Sequence, residues 1–282
     1  MASLTPKHIP IAAARTICIR FPVRFTLYYK VYDPSPLVTF NFFIFFLTHF
    51  CPRRPPVAPL IFSPMDTEAL INGLLMYICL VVIVTFHEFG HAWMALRMGD
   101  VTQKAQGRVT LNPLAHLDLF GTVILPLFFI LANAFDKAFG GFLFGWGRPV
   151  MVDLNYLTNR RRQNLLITLA GPAMNVVLTA LVLLIARAAH ATGHPQMVEF
   201  CMDLAVLSMF LFFFNLLPVP PLDGGNALHS IIGMKEETYL RLSQLGWIFI
   251  LILINIRPLF VELARLSVAS VKLGGAIVGL GG

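Results

Sequence analysis

Leu80-Val81-Val82-Ile83-Val84-Thr85-Phe86-His87-Glu88-Phe89-Gly90-His91 decides how the rest of this chain is read. An apolar run of spanning length, residues 69–95, carries two histidines and a glutamate within five positions near its end. Ionisable side chains in hydrocarbon are costly and face a partner or a functional site. On a helix, His87 and His91 stand at i and i+4, one turn apart on one face. Both imidazoles can therefore hold a single Zn²⁺, which leaves Glu88 free as a general base. The alternative is an ordinary helix end with polar residues reaching for the interface, and Arg97 a turn later fits that reading too.

The surroundings fit a membrane. Hydrophobic residues make up 57% of the 282 and charged residues 12%, with a mean hydropathy of +0.75. Soluble domains carry about 25% charged residues, so this is an integral membrane protein. The net charge of +7 belongs to the first 64 residues, which hold seven Lys/Arg against one Asp, while the remainder holds 14 against 13. Nothing in that basic segment resembles a nucleic-acid-reading motif, and no nucleic-acid partner is expected. The four cysteines (Cys18, Cys51, Cys79, Cys201) have no paired spacing and read as small hydrophobes.

Residues 1–64 form a separate unit by composition: basic, rich in Phe, with ten prolines. Their longest apolar run, Pro36 to Phe50, is short for a span. The stretch reads as a targeting segment or, preferably, as an extension upstream of a start at Met65, since Met65-Asp66-Thr67-Glu68 puts acids at a helix opening. The expected functional domain is 65–282, an all-α polytopic membrane helix bundle of about five to six spans, with apolar segments near 69–95, 119–135, 163–189, 202–217, 244–256 and, more weakly, 258–281. A Gly/Pro/aromatic stretch at 140–157 is expected to form a small strand or hairpin at the membrane surface. The connections bearing Arg97, Lys104 and Arg108, and Lys137, Arg148 and Arg160–Arg162, are expected on opposite sides, with a slight positive-inside preference for the second being cytoplasmic.

A catalytic zinc wants three protein ligands and one open position. The third is sought in Asn215-Leu216-Leu217-Pro218-Val219-Pro220-Pro221-Leu222-Asp223-Gly224-Gly225, where prolines break an apolar helix ahead of an acid. Broken helices at membrane depth occur where they line a cavity or are buried in protein. Asp223 is the candidate ligand; the plainer reading is a turn with Asp223 as a helix cap. His116 is a weaker candidate, expected at the surface. His190 and His194 sit at a span end, where a solvated histidine is ordinary, and His229 could stand behind the ligands.

These motifs together, HEFGH, Gly171-Pro172-Ala173-Met174-Asn175 and NLLPVPPLDGG, resemble the site-2 protease family of intramembrane zinc metalloproteases, in its compact bacterial type without an inserted PDZ domain. Residues 107–116 and 145–150 add to the likeness, which covers Met65 to Ile256; residues 1–64 have no counterpart. The resemblance implies His87, His91 and Asp223 as ligands of one Zn²⁺ and Glu88 as the base. Asn175 and Asn215 become possible substrate-binding or cavity-lining groups, or else simple helix–helix hydrogen-bonding amides. It also implies cleavage in or near the transmembrane segments of single-span substrates, in a multi-pass protein of the cell membrane. The rival expectation is a non-catalytic membrane protein that binds or transports metal through the same ligands; Glu88 would then be dispensable.

Overall fold

The computed structural model describes residues 66–135, 145–148 and 150–280. The N-terminal extension lies outside the described residues, as do residues 140–144 of the expected surface hairpin. The long helix α1 (Thr67–Arg97) opens as its first turn predicts: Asp66 caps it, accepting from the Ala69 amide at 3.1 Å. Its 31 residues extend about 46 Å. A turn at Gly99, which takes φ of 106°, leads to the single-turn helix α2 (Thr102–Ala105). Asp118 then caps a π-helical turn (Leu119–Ile124) that continues as α3 (Leu125–Phe135).

Next come α4 (Arg160–Ala191), α5 (Pro195–Asn215), α6 (Asp223–Ile232), α7 (Glu236–Gln244), α8 (Gly246–Asn255) and α9 (Arg257–Ile277). The fold is all-α. Among the described residues the expected hairpin reduces to one antiparallel bridge, Leu117 with Gly147.

α4 is the centre of the bundle. It packs between α1 and α5, carries α6 on its N-terminal half, and α9 covers α5. Cys79 and Ile83 of α1, Leu178, Val182 and Ala186 of α4, Ala205 and Met209 of α5, and Val268 and Val271 of α9 make the main core. Other large apolar side chains point outward, among them Ile71, Leu74 and Ile78 on α1 and Leu181, Leu184 and Ile185 on α4. A helix apolar on both inner and outer faces is made for lipid. Among the described residues three helices, α1, α4 and α5, are long and apolar enough to cross a membrane, and the shorter apolar Leu119–Phe135 and α8 and the charged α9 complete the bundle.

The basic connections correct the sequence expectation. Arg148 N donates to the His116 carbonyl at 2.8 Å, Arg108 to the Arg148 carbonyl at 3.4 Å, and Gln163 to the Met98 carbonyl at 3.3 Å. Arg97, Lys104, Arg108, Arg148 and Arg160–Arg162 therefore gather at one end of the bundle, not at opposite ends. The chain after α3 comes back to pair beside Leu117, which the count of apolar segments did not anticipate.

Candidate metal centre

His87 and His91 lie on the buried face of α1, which meets α4 where both helices are smallest. A side chain at Gly90 would strike the Ala170 carbonyl and Met174 Cγ, at 2.5 and 2.6 Å. One at Gly171 would fall on the His91 ring and 2.8 Å from His87 Nε2. The two glycines notch the helices together. They let the backbone of α4 close one side of the imidazole pair. By the helical rise, His91 sits about 9 Å from Arg97 along α1. The Arg97 guanidinium stacks 5.1 Å from the centre of the Trp93 ring, the kind of residue pair that marks a membrane interface.

His91 Nδ1 donates to the Ile167 carbonyl at 2.8 Å, which fixes its tautomer and turns Nε2 inward. Asp223 arrives from the opposite side. The segment 216–222 folds back on itself, and the pair Gly224-Gly225 makes this possible. A Cβ on either would overlap backbone atoms of Leu216–Pro220. The peptide Pro220–Pro221 is cis. Asp223 is the first residue of α6, and Leu222 holds the cap position, so the helix-cap reading does not hold. Its carboxylate is spent on the histidines, with Oδ2 3.0 Å from His87 Nε2 and Oδ1 3.4 Å from His91 Nε2. The two Nε2 atoms are 3.1 Å apart.

This triangle fits zinc. Bonds of about 2.0–2.1 Å in tetrahedral geometry put neighbouring ligand atoms about 3.3–3.4 Å apart, close to the three edges observed. Two imidazoles and one carboxylate, mutually within 4.8 Å, also match the three-ligand donor set of a catalytic site. Without a cation, three such atoms face one another with too few hydrogens between them.

Glu88 sits a residue away with Oε2 buried and without a hydrogen-bond partner. Its Oε1 lies 3.0 Å from where a Cβ on Gly147 would stand. The segment 145–148 therefore runs directly over the glutamate. It is held by the stretch before α3: the Trp146 amide donates to the Gly121 carbonyl at 3.2 Å, Thr122 Oγ1 donates to the Trp146 carbonyl at 2.5 Å, and the Arg148 amide and carbonyl are engaged by His116 and Arg108. Further along, Gln103 Nε2 donates to Met151 O at 2.6 Å and the Asp153 amide donates to Asp100 at 3.0 Å.

His116, expected at the surface, is fully buried, with Nε2 2.8 Å from the Thr110 carbonyl. It supports this loop and stands outside the ligand group. Asn175 is fully buried on α4, one turn past Gly171, and neither its Oδ1 nor its Nδ2 has a partner. Asn215 is half-buried and donates to the Leu211 carbonyl of its own helix at 3.0 Å. His229 stacks on Tyr239 at 4.6 Å and reaches Glu236 at 3.5 Å. Burial pushes the Tyr239 phenol above its ordinary range, so it stays neutral.

Sequence reasoning missed a polar ladder. Asn164 donates to Asn226 at 3.1 Å and to Ser230 at 2.9 Å, and Asn226 donates to Thr168 at 2.9 Å. The signal was available: residues 164, 168 and 175 recur at helical spacing along one face of an otherwise apolar span.

A helical membrane bundle that aims two imidazoles and a carboxylate at one point beside a free glutamate defines a membrane-embedded metallohydrolase. The profile of peptidase family M50 matches residues 75–193 and 185–254. The chain is 35% identical over 164 residues to the Bacillus subtilis (strain 168) protein named "Putative zinc metalloprotease YwhC", covering 56% of this chain and 68% of that one. Rip2 of Mycolicibacterium smegmatis, named in the same terms, is 34% identical over 186 residues, or 66% of each chain. Rip2 of Mycobacterium tuberculosis (strain H37Rv) is 34% identical over 187 residues, or 65% of each. The matches thus span about two thirds of these relatives. No solved structure matches. The chain belongs to peptidase family M50, a multi-pass membrane protein of the zinc metalloprotease class.

Proposed function

We propose that the chain is an intramembrane zinc endopeptidase that hydrolyses peptide bonds in or near the transmembrane segments of single-span proteins. His87, His91 and Asp223 hold the zinc, and Glu88 is the catalytic base. The observation that carries this reading is the buried, unpartnered carboxylate oxygen of Glu88 beside a closed triangle of ligand atoms. A metal carrier needs the triangle alone and has no use for that glutamate.

Zinc held by His87, His91 and Asp223 would supply Lewis-acid polarisation of the scissile carbonyl and would acidify water. Glu88 takes one proton from the attacking water and delivers it to the leaving amine, so the protein ends the cycle as it began. The substrate lies extended along Gly145–Arg148, where Trp146 and Arg148 pair with the chain at His116 and Gly121–Thr122. Gly147 then presents its peptide edge beside Glu88, and a strand added there carries its carbonyls past the metal. Asn175, an amide with both ends free in the bundle core, is assigned to the cavity; Asn215, at the lip of the broken segment, lines its entrance. The gathering of basic residues at the end nearer the site favours a cytoplasmic orientation for that end by the positive-inside rule.

The test is metal analysis paired with cleavage of a single-span reporter. Glu88→Gln keeps its zinc and stops cleavage, whereas His87→Ala and Asp223→Ala lose both. A Glu88→Gln protein that retains its biological activity points instead to metal transport or binding.

A further inference from the structure

Two of the three ligands are tied to the same two turns of α4. His91 is turned by the Ile167 carbonyl at 2.8 Å. α6, which starts with Asp223, is fixed one turn later, where Asn226 donates to Thr168 at 2.9 Å. Asn164, itself buried, grips the same Asn226 by its carbonyl at 3.1 Å and Ser230 a turn beyond at 2.9 Å. Asp223, Asn226 and Ser230 stand at i, i+3 and i+7, so the ligand and both tethers share one face of α6. Gly171, three residues past Thr168, lies against both imidazoles.

Pro172 adds a further detail. It has no amide hydrogen to give the Thr168 carbonyl, so the helix is less committed to itself where it carries these contacts.

We infer that Thr168 and Asn164 of α4 are positioning residues for the metal, setting the Asp223-to-imidazole spacing through Asn226 and Ser230. The inference rests on the ligand assignment proposed above. α1 and α6 are not neighbours in sequence and belong to opposite walls of the site. A chain fold alone would hold the carboxylate to within about an ångström. Metal ligation wants bond lengths within about 0.2 Å. Hydrogen bonds from both walls to one rigid stretch of helix supply that tighter spacing, as outer partners of ligands do elsewhere. The competing view is that the ladder merely glues α6 to α4, as interhelical polar contacts in membranes often do. The two views differ in what they do to zinc affinity.

The experiment uses the full-length protein in detergent micelles, with the zinc dissociation constant measured by chelator competition. The absorption spectrum of the Co²⁺-substituted protein reports ligand geometry, and thermal unfolding of the metal-free protein reports stability. Thr168→Val removes the hydroxyl with little change of volume and leaves Asn226 Nδ2 without its acceptor. It is expected to weaken zinc 10- to 100-fold and to alter the Co²⁺ spectrum. Thr168→Ser, which keeps the hydroxyl, stays within about threefold of wild type, and the metal-free proteins unfold alike.

A Thr168→Val protein that binds zinc within threefold of wild type overturns the inference. So does one whose metal-free form is destabilised in step with its zinc loss while its Co²⁺ spectrum is unchanged. If Thr168→Val does not insert, Asn226→Ala is read the same way, and an unchanged dissociation constant there overturns it equally. A wild-type protein that holds no zinc overturns the ligand assignment itself, which is a separate failure.

Discussion

Replacing Gly171 with alanine adds one methyl group at the point where α4 touches the imidazole pair. In the middle of a helix this change ordinarily favours folding by about 0.5–1 kcal/mol, because glycine loses more freedom on ordering. Here the new Cβ would stand 2.8 Å from His87 Nε2 and closer still to His91 Nε2 and Cε1. Carbon needs about 3.5–4.0 Å from such atoms. At least one ring must therefore retreat by about 1 Å, several times the tolerance of a zinc bond. Gly90 lies against the Ala170 carbonyl one turn away, so moving the helices apart would also open that close contact.

Gly171→Ala is accordingly expected to insert and fold, to lose zinc affinity by two orders of magnitude or more, and to cleave a single-span reporter at least about 100-fold more slowly. Gly73→Ala is the matched control. It sits on α1 at a helix contact, but the added methyl meets only the Ile130 side chain, and zinc and cleavage should be those of wild type. The assay is zinc content per chain after gel filtration, followed by reporter cleavage at equal protein. A Gly171→Ala protein with full zinc and cleavage within threefold of wild type would refute the claim that α4 closes the ligand triangle.

Other outcomes follow from the same geometry. Gly147→Val should press on Val84 and Glu88, leaving zinc content intact while lowering kcat more than tenfold, as steady-state cleavage will show. Zinc retention should fall as the medium is made more acidic, because protons compete with the metal for the imidazole nitrogens, and dialysis followed by metal analysis across pH 5–8 will trace it. His116→Ala removes the buried ring that holds the Thr110 carbonyl, so zinc should stay bound while cleavage declines. A chain beginning at Met65 should insert, hold zinc and cleave as the full chain does, measured by membrane fractionation and reporter cleavage.

The three residues proposed as ligands were legible in the sequence because helices are periodic: two histidines four apart share a face wherever the helix lies, and an acid after three prolines marks a break. The three long spans were legible for the same reason, through unbroken apolar runs. What the sequence did not show are contacts that depend on where a distant segment comes to rest. His116 looked solvated beside Leu117 and Asp118, yet it is buried because the chain after α3 returns to lie over it. The expected hairpin was read from a run of Val and Met; those residues are instead held by side chains, with Gln103 and Asp100 taking the bonds a second strand would have made. Gly171 was visible only as part of a motif, since the atoms that require its missing side chain lie eighty residues earlier.

The pairing of residues 146–148 with the stretch around Leu117 has a consequence for selectivity. An edge of peptide groups reads main chain, which every protein shares, and so offers little discrimination among side chains. What varies between candidate substrates is the free energy needed to strip a turn of its internal bonds within lipid, several kcal/mol for each amide left bare. Under the proposed function, choice among membrane-protein substrates then follows local helix weakness. Glycine, proline or a polar residue near the point of attack would act as the address, and a uniformly leucine-rich anchor would be spared.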